Sequence, residues 1–179
     1  VPLITITQSL GSEGRAVAKG VAEGLNIPLY DDAKLMEEAK RMGLDIAQLQ
    51  GFAEKAPSWF DWLIGEKLDA FAHLMGAVIY ESAHRGEGVI LGHGSQVLLK
   101  DFSCALHILV TANEDRRISN LTEKMSLSRE AAAKLIEKSD KEYSGYFRYV
   151  FQKNWDEPGL YDLCVNPGKI GVEEATKTI

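Results

Sequence analysis

The sequence predicts an α/β domain in which a parallel sheet is covered by helices on both faces. Short runs rich in Val, Ile and Leu alternate along the chain with longer stretches whose apolar residues recur at helical spacing. Two of the short runs, residues 88–92 and 105–111, are apolar almost throughout, which is typical of strands buried on both faces. The length of 179 residues suits one core, so we expect a single domain over residues 1–179.

Each element is justified by its own pattern and by the turn residues at its ends. The first strand is a β-branched run, and the helix after the glycine-containing turn 8–14 has Val17, Val21 and Leu25 on one face. Asp32 is of a type that caps helices, so we expect it to start the second one. The expected elements are strand 2–7, helix 15–25, strand 27–30, helix 32–42, strand 88–92, strand 105–111, helices 113–125 and 128–151, strand 161–165 and helix 172–179.

Residues 44–85, between the second and third strands, have helical spacing with a break near 55–58, because Pro57 disfavours helix at the residue before it. The longer helix, 59–85, carries an apolar stripe that includes Phe71 and Met75. Such a stripe is ordinarily a core face, and the alternative is an oligomer surface formed with Trp59, Phe60 and Trp62.

Charge, apolar runs, cysteines and histidines exclude several classes of function. The chain has 20 Lys and Arg against 26 Asp and Glu, a net charge of −6, which argues against binding to nucleic acid or an anionic membrane. No apolar run approaches the roughly 20 residues of a membrane span, and we expect a cytoplasmic protein. Cys104 and Cys164 lie in apolar runs and form no CxxC, so we expect buried, reduced thiols. The four histidines are scattered, so we expect no metal held by the protein alone.

The turn between the first strand and the first helix predicts an anion site. In a parallel sheet, ligands bind beyond the carboxyl ends of the strands, and the N–H groups of a glycine turn and a helix N-terminus attract phosphate. A purely structural glycine turn is the alternative. The motif GxxxxGK followed by Ser or Thr is absent, because Gly14 stands in place of the lysine and Ala16 in place of the hydroxyl. Arg15 could add a bidentate contact.

Residues 114–153 hold nine Lys and Arg against seven Asp and Glu, although the whole chain is acidic. Lys134, Lys138, Lys141 and Arg148 fall on one helix face and form a basic stripe. A solvated face is the default interpretation. The alternative is a lid that closes over a polyphosphate.

The chain resembles the cytidylate kinase-like family of P-loop nucleoside monophosphate kinases in four segments that follow in order and span nearly its whole length. The resemblance implies the strand order 2-3-1-4-5, a helical lobe for the nucleoside monophosphate at about 32–86, and a lid at about 114–153. It also implies transfer of the γ-phosphoryl group of ATP to CMP or dCMP with Mg²⁺, and a homo-oligomer is possible. The segments are ITITQSLGSEGRAVAKGVAEGLNIPLYDDAKL, VILGHGSQVLL, EDRRISNLTEKMSLSREAAAKLIEKSDKEYSGYFRYVF and YDLCVNPGKIGVEEA.

The resemblance also implies roles for individual residues. Gly-Ser-x-Gly-Arg is the family's own form of the phosphate loop, and Arg15 would supply part of the charge of the missing lysine. Asp31, which would border the monophosphate lobe, and His93 are the candidate substrate-binding residues, and a turn residue without a ligand is the alternative for His93. The implied catalytic residues are Arg15, Lys141 and Arg148, and those that would bind ATP are Gly11, Ser12, Glu13, Gly14, Arg15, Ala16, Arg116 and Arg117.

Three residues depart from the family pattern where phosphate should bind. Gln8 and His93 stand where the family usually has Arg, and Glu13 stands where it usually has Gly. Each change lowers the positive potential, which predicts a weak or inactive kinase. A nucleotide-binding protein that has lost transfer, and an oligomerising interaction module, are the alternatives.

Overall fold

The computed structural model describes residues 2–44 and 66–179, in which five strands form one parallel sheet of order β2-β3-β1-β4-β5. This confirms the predicted fold class and strand order, with the first strand in the centre. The strands are β1 (Leu3–Gln8), β2 (Leu29–Tyr30), β3 (Gly88–Leu91), β4 (Ala105–Val110) and β5 (Leu163–Val165).

The predicted helices are present wherever the structure describes the chain. Asp31, rather than Asp32, caps the second helix, because its side chain accepts a hydrogen bond from the Lys34 N–H at 3.1 Å. Three short helices were not predicted, since they span too few residues for a periodic pattern. The helices of the described residues are α1 (Gly14–Leu25), α2 (Asp32–Arg41), α3 (Glu66–His84), α4 (Ser95–Leu98), α5 (Glu114–Met125), α6 (Arg129–Phe151), a 3-10 turn (Pro158–Leu160), α7 (Pro167–Ile170) and α8 (Val172–Thr178).

Side chains that alternate along the sheet fill two core layers. Leu3 packs in the layer that contains α2, α3 and α6, whereas Ile4 and Ile6 pack in the layer that contains α1 and α8. Phe71 and Met75 of α3 are buried in the first layer, so the described part of the apolar stripe is a core face. The predicted break at 55–58 and the residues Trp59, Phe60 and Trp62 lie outside the described residues.

Helices α5 and α6 form a third, smaller apolar cluster against the turn after β1. Ile118 and Leu121 of α5 pack with Ala132 and Ile136 of α6, and Leu10 of the turn packs against them. The turn is therefore attached to the two helices in which a lid was predicted. The basic stripe of α6 is exposed: Lys134, Lys138, Lys141 and Arg148.

The cysteines correct one expectation. Cys104 and Cys164 are free thiols but both are exposed. Cys104 lies in the turn before β4, and Cys164 lies on β5, an edge strand whose neighbouring residues Leu163 and Val165 face the α1 layer.

None of the helices in the described parts of the chain is long and apolar enough to cross a membrane.

Candidate functional site

The turn that follows β1 leads directly into α1 at the carboxyl edge of the sheet. Two hydrogen bonds of Ser12 fix the shape of this turn. The Ser12 N–H donates to the Ser9 carbonyl at 3.1 Å, and the Ser12 hydroxyl donates to the Val110 carbonyl of β4 at 3.1 Å. The first helical bond of α1 runs from the Val17 N–H to the Glu13 carbonyl. The N–H groups of residues 14–16 therefore have no acceptor within the helix and are available to an anion.

Two glycines of the turn lie where no side chain fits without movement. Gly11 has a φ of 81°, and a Cβ there would lie 2.8 Å from the Arg117 carbonyl oxygen. A Cβ at Gly14 would lie 2.4 Å from the Gln8 Cβ. The turn is thus a backbone surface closely packed against its neighbours, as a phosphate cradle requires.

Side chains of helix α5 hydrogen-bond to the backbone of this cradle. The Arg117 Nε donates to the Leu10 carbonyl at 2.6 Å, and the Asn120 amide donates to the Gly11 carbonyl at 2.8 Å. The Arg117 guanidinium also donates two hydrogen bonds, of 2.8 and 2.7 Å, to Asp140 of α6. Arg117 is buried, and all three nitrogens of its guanidinium donate to the loop or to Asp140, so this side chain positions the loop.

A second contact from α5 reaches the rim of the cradle. The Lys124 Nζ lies 2.5 Å from Glu13 Oε2. Glu13 has a φ of 70°, a left-handed conformation that favours glycine, and its carboxylate does not cap α1. The departure of Glu13 from the family pattern therefore gives this ammonium group a partner in the loop.

Arg15 and the residues predicted for the monophosphate come together on the other side of the cradle. Arg15 donates to Asp31 at 3.2 Å and to Asp32 at 2.9 Å. The His93 Nε2 lies 2.8 Å from Asp32 Oδ1. The hydrogen bond with His93, supported by the nearby charges of His93 and Arg15, holds the pKa of Asp32 below its ordinary value although partial burial opposes this.

The remaining predicted residues are spread further apart. Arg116 lies against α7, since a Cβ at Gly168 would be 2.9 Å from the Arg116 Cγ. Arg148 donates to the Asn154 side chain at 3.1 Å, beyond the end of α6, and Lys141 is exposed beside Asp140. In residues 2–44 and 66–179, no three His, Cys, Asp or Glu side chains are grouped as a metal site.

Four residues that the sequence analysis did not select take part in the site: Asp32, Asn120, Lys124 and Asp140. A signal existed for two of them, because Asn120 and Lys124 follow Arg117 at spacings of three and seven and so share its helix face. Asp32 and Asp140 gave no such signal, since an exposed helical carboxylate is ordinary.

A parallel sheet of this strand order, with a glycine-containing turn between the central strand and a helix, defines the P-loop kinase class of folds. The chain belongs to the cytidylate kinase-like family, whose model matches residues 3–169. It is 26% identical to a cytidylate kinase of Pyrobaculum islandicum, over 98% of this chain and 89% of that protein.

Two solved structures illustrate the likeness of fold. An uncharacterized protein from Eubacterium ventriosum is 24% identical, with a TM-score of 0.78 over 99% of this chain and 95% of its own. A shikimate kinase from Bacteroides thetaiotaomicron is 13% identical, with a TM-score of 0.57 over 99% of this chain and 95% of its own. At these identities the likeness shows the fold alone.

Proposed function

We propose that this protein transfers the γ-phosphoryl group of ATP to a nucleoside monophosphate, CMP or dCMP, giving ADP and the nucleoside diphosphate. The observation that carries the proposal is the cradle, with the N–H groups of residues 14–16 free of helical acceptors and Arg15, Asp31 and His93 on one side of it. The similarity to the Pyrobaculum islandicum cytidylate kinase supports the choice of acceptor.

The proposed roles follow from position. The cradle backbone, Gly11 to Ala16, would bind the phosphates of ATP, and Arg116, beside α7, would contact the nucleotide at the adjoining strand end. Arg15 and His93 would bind the acceptor phosphate. Because phosphoryl transfer needs mainly alignment of the reacting groups and neutralisation of charge, no covalent intermediate is required.

Mg²⁺ is implied by the family, and the donor set beside the cradle fits it. Mg²⁺ takes one or two carboxylates together with phosphate oxygens and waters. Asp31 and Asp32 are such carboxylates, and they would hold the ion in place of the Arg15 guanidinium, from which both now accept hydrogen bonds. The Ser12 hydroxyl is bonded to Val110, and Ala16 has no oxygen in its side chain. The ion would neutralise charge on the phosphates.

We also propose that residues 114–153 act as a lid and residues 32–86 as the monophosphate lobe of one domain. The exposed basic stripe that includes Lys141 and Arg148 would be attracted to the higher negative charge of a polyphosphate, in addition to the contacts that it makes within α6 and beyond its end. Amide hydrogen exchange in α5 and α6 should slow when ATP and Mg²⁺ are added. Equal protection with and without the nucleotide would contradict a lid.

A second candidate function is nucleotide binding without transfer. It is favoured by the carboxylates that already accept from three basic side chains at the site: Glu13 pairs with Lys124, and Asp32 pairs with both Arg15 and His93. A bound phosphate must compete with these carboxylates, which weakens both binding and transition-state stabilisation.

One pair of measurements separates the two candidates. Calorimetric titration with CMP, dCMP, other monophosphates and ATP with Mg²⁺ measures binding, and a coupled assay for nucleoside diphosphate measures transfer. Binding with turnover supports the kinase, and binding without turnover supports the second candidate. Absence of both would contradict both and would favour an interaction module.

A further inference from the structure

The phosphate loop lacks a cation of its own on the side where the phosphates of ATP would bind. Position 14, where a loop lysine would stand, is closed to any side chain because a Cβ there would lie 2.4 Å from the Gln8 Cβ. Arg15, the basic residue of the loop, is directed to Asp31 and Asp32 on the monophosphate side. A loop of this kind needs positive charge from elsewhere in the fold.

Helix α5 brings an ammonium group to the loop. Lys124 Nζ contacts Glu13, the residue that immediately precedes the first helical residue of α1. The same helix face is fixed to the loop by Arg117 and Asn120, which bind the carbonyl groups of Leu10 and Gly11. The root of the Lys124 side chain therefore lies close to the cradle.

We propose that Lys124 is the phosphate-binding cation of this site, supplied in place of the absent loop lysine, and that Glu13 holds its ammonium group when no phosphate is bound. The proposal rests on the proposed function only in that the loop must bind a polyphosphate. The Lys124 side chain is 59% exposed and that of Glu13 is 16% exposed, so solvent reaches the ammonium group and phosphate oxygens, which carry more charge, can replace the carboxylate.

Tripolyphosphate with Mg²⁺ is the probe, because it presents the phosphates of ATP without the nucleoside. Calorimetric titration should give an affinity on the order of tenfold lower for Lys124→Met than for the wild type, and a smaller loss for Lys124→Arg. Lys19→Met is the matched control, because it removes the same charge from an exposed pair on α1, with Glu23 at 3.7 Å, and should bind as the wild type does.

A second comparison excludes a merely structural role. Lys124→Met should weaken the binding of ATP and leave that of AMP nearly unchanged, because the cradle side of the site binds the outer phosphates. Glu13→Gln should raise the affinity for tripolyphosphate, since it frees the ammonium group. The increase should disappear when Glu13→Gln is combined with Lys124→Met, because the two residues then act through one contact.

The outcomes distinguish this inference from the proposed reaction. If Lys124→Met binds tripolyphosphate as tightly as the wild type, or weakens ATP and AMP equally, the inference is wrong. It is also wrong if the wild type does not bind tripolyphosphate. If the wild type binds it through Lys124 but forms no nucleoside diphosphate, the proposed reaction fails and the role of Lys124 stands.

Discussion

The two sides of the phosphate loop are held by charged contacts of opposite character. On the α5 side, Arg117 is 7% exposed and bonds at once to the Leu10 carbonyl and to Asp140. On the α2 side, the side chains of Arg15 and Asp32 are 56% and 57% exposed. One set of contacts is part of the folded core, and the other lies in solvent.

This difference in burial separates contacts that fix the loop from contacts that a bound phosphate would replace. Removing one partner of a buried pair leaves an uncompensated charge and costs about 3–5 kcal/mol, whereas an exposed pair contributes about 0–1 kcal/mol. The buried Arg117 of α5 can therefore fix the loop, while the more exposed pairs of Arg15 and of Lys124 can, under the proposed function, be exchanged for phosphate at lower cost. The same residue types thus support the fold where they are buried and are candidates for ligand exchange where they are exposed.

The largest effect should come from the buried side. Arg117→Met should lower the free energy of unfolding by about 2–3 kcal/mol, because it leaves the Leu10 carbonyl and the half-buried Asp140 carboxylate without their donor. Urea unfolding followed by circular dichroism measures this. Arg116→Met, at the exposed neighbouring position, should change it by less than about 0.5 kcal/mol. Equal effects of the two changes would contradict the contrast drawn above.

A substitution in the backbone of the cradle should lower the free energy of unfolding nearly as much as Arg117→Met does. Gly14→Ala should cost about 1–3 kcal/mol and weaken tripolyphosphate binding, because the added Cβ meets the Gln8 Cβ. Gly24→Ala, in the same helix, should instead stabilise by roughly 0.5–1 kcal/mol, since nothing lies within 4 Å of its Cβ. The same unfolding experiment compares the two variants, and a neutral Gly14→Ala would show that the cradle is loosely packed.

The exchangeable pairs should control the rate of transfer. Replacing His93 by Arg together with Glu13 by Gly should raise the rate on CMP about tenfold, because both changes add positive potential where negative charge develops. Glycine also suits the φ of 70° at position 13. The coupled assay should show the gain shrinking at high salt. If the double variant has unchanged or no activity while the wild type is active, the proposed acceptor is wrong and the family and fold stand.

The smallest effect should come from Asp32. Its lowered pKa, caused first by the hydrogen bond from His93, means that its contribution to stability is present above about pH 4 and is lost as the pH falls through the lowered value. Asp32→Asn should therefore destabilise by less than about 1 kcal/mol near neutral pH. The difference should vanish in strong acid.

Thermal unfolding from neutral to acid pH tests this effect of Asp32→Asn. Glu23→Gln, which removes an exposed charge from a pair on α1, is the control and should show a smaller dependence on pH. A difference between wild type and Asp32→Asn that persists unchanged in acid would show that the Asp32 carboxylate does not act through its charge.

Most of the fold could be predicted because its signals are local. The apolar runs that gave β1, β3 and β4 and the spacing that gave α1, α5 and α6 need only neighbouring residues. The two errors arose where local pattern is silent. An apolar run around Cys164 does not show that β5 is an edge strand, and two adjacent aspartates, Asp31 and Asp32, do not show which one caps the helix.

The sequence by itself determined the sheet, the backbone cradle and some of the residues placed around it, because glycine spacing and strand-turn-helix order are properties of a short segment. Only the tertiary structure decided how the charges pair. Arg117 and Asp140 are separated by 23 residues, and Lys124 and Glu13 by 111. Their pairing depends on how α5 packs against α6 and the loop. Burial therefore decides which cation fixes the loop and which can exchange its carboxylate partner. The order of residues along the chain does not show burial.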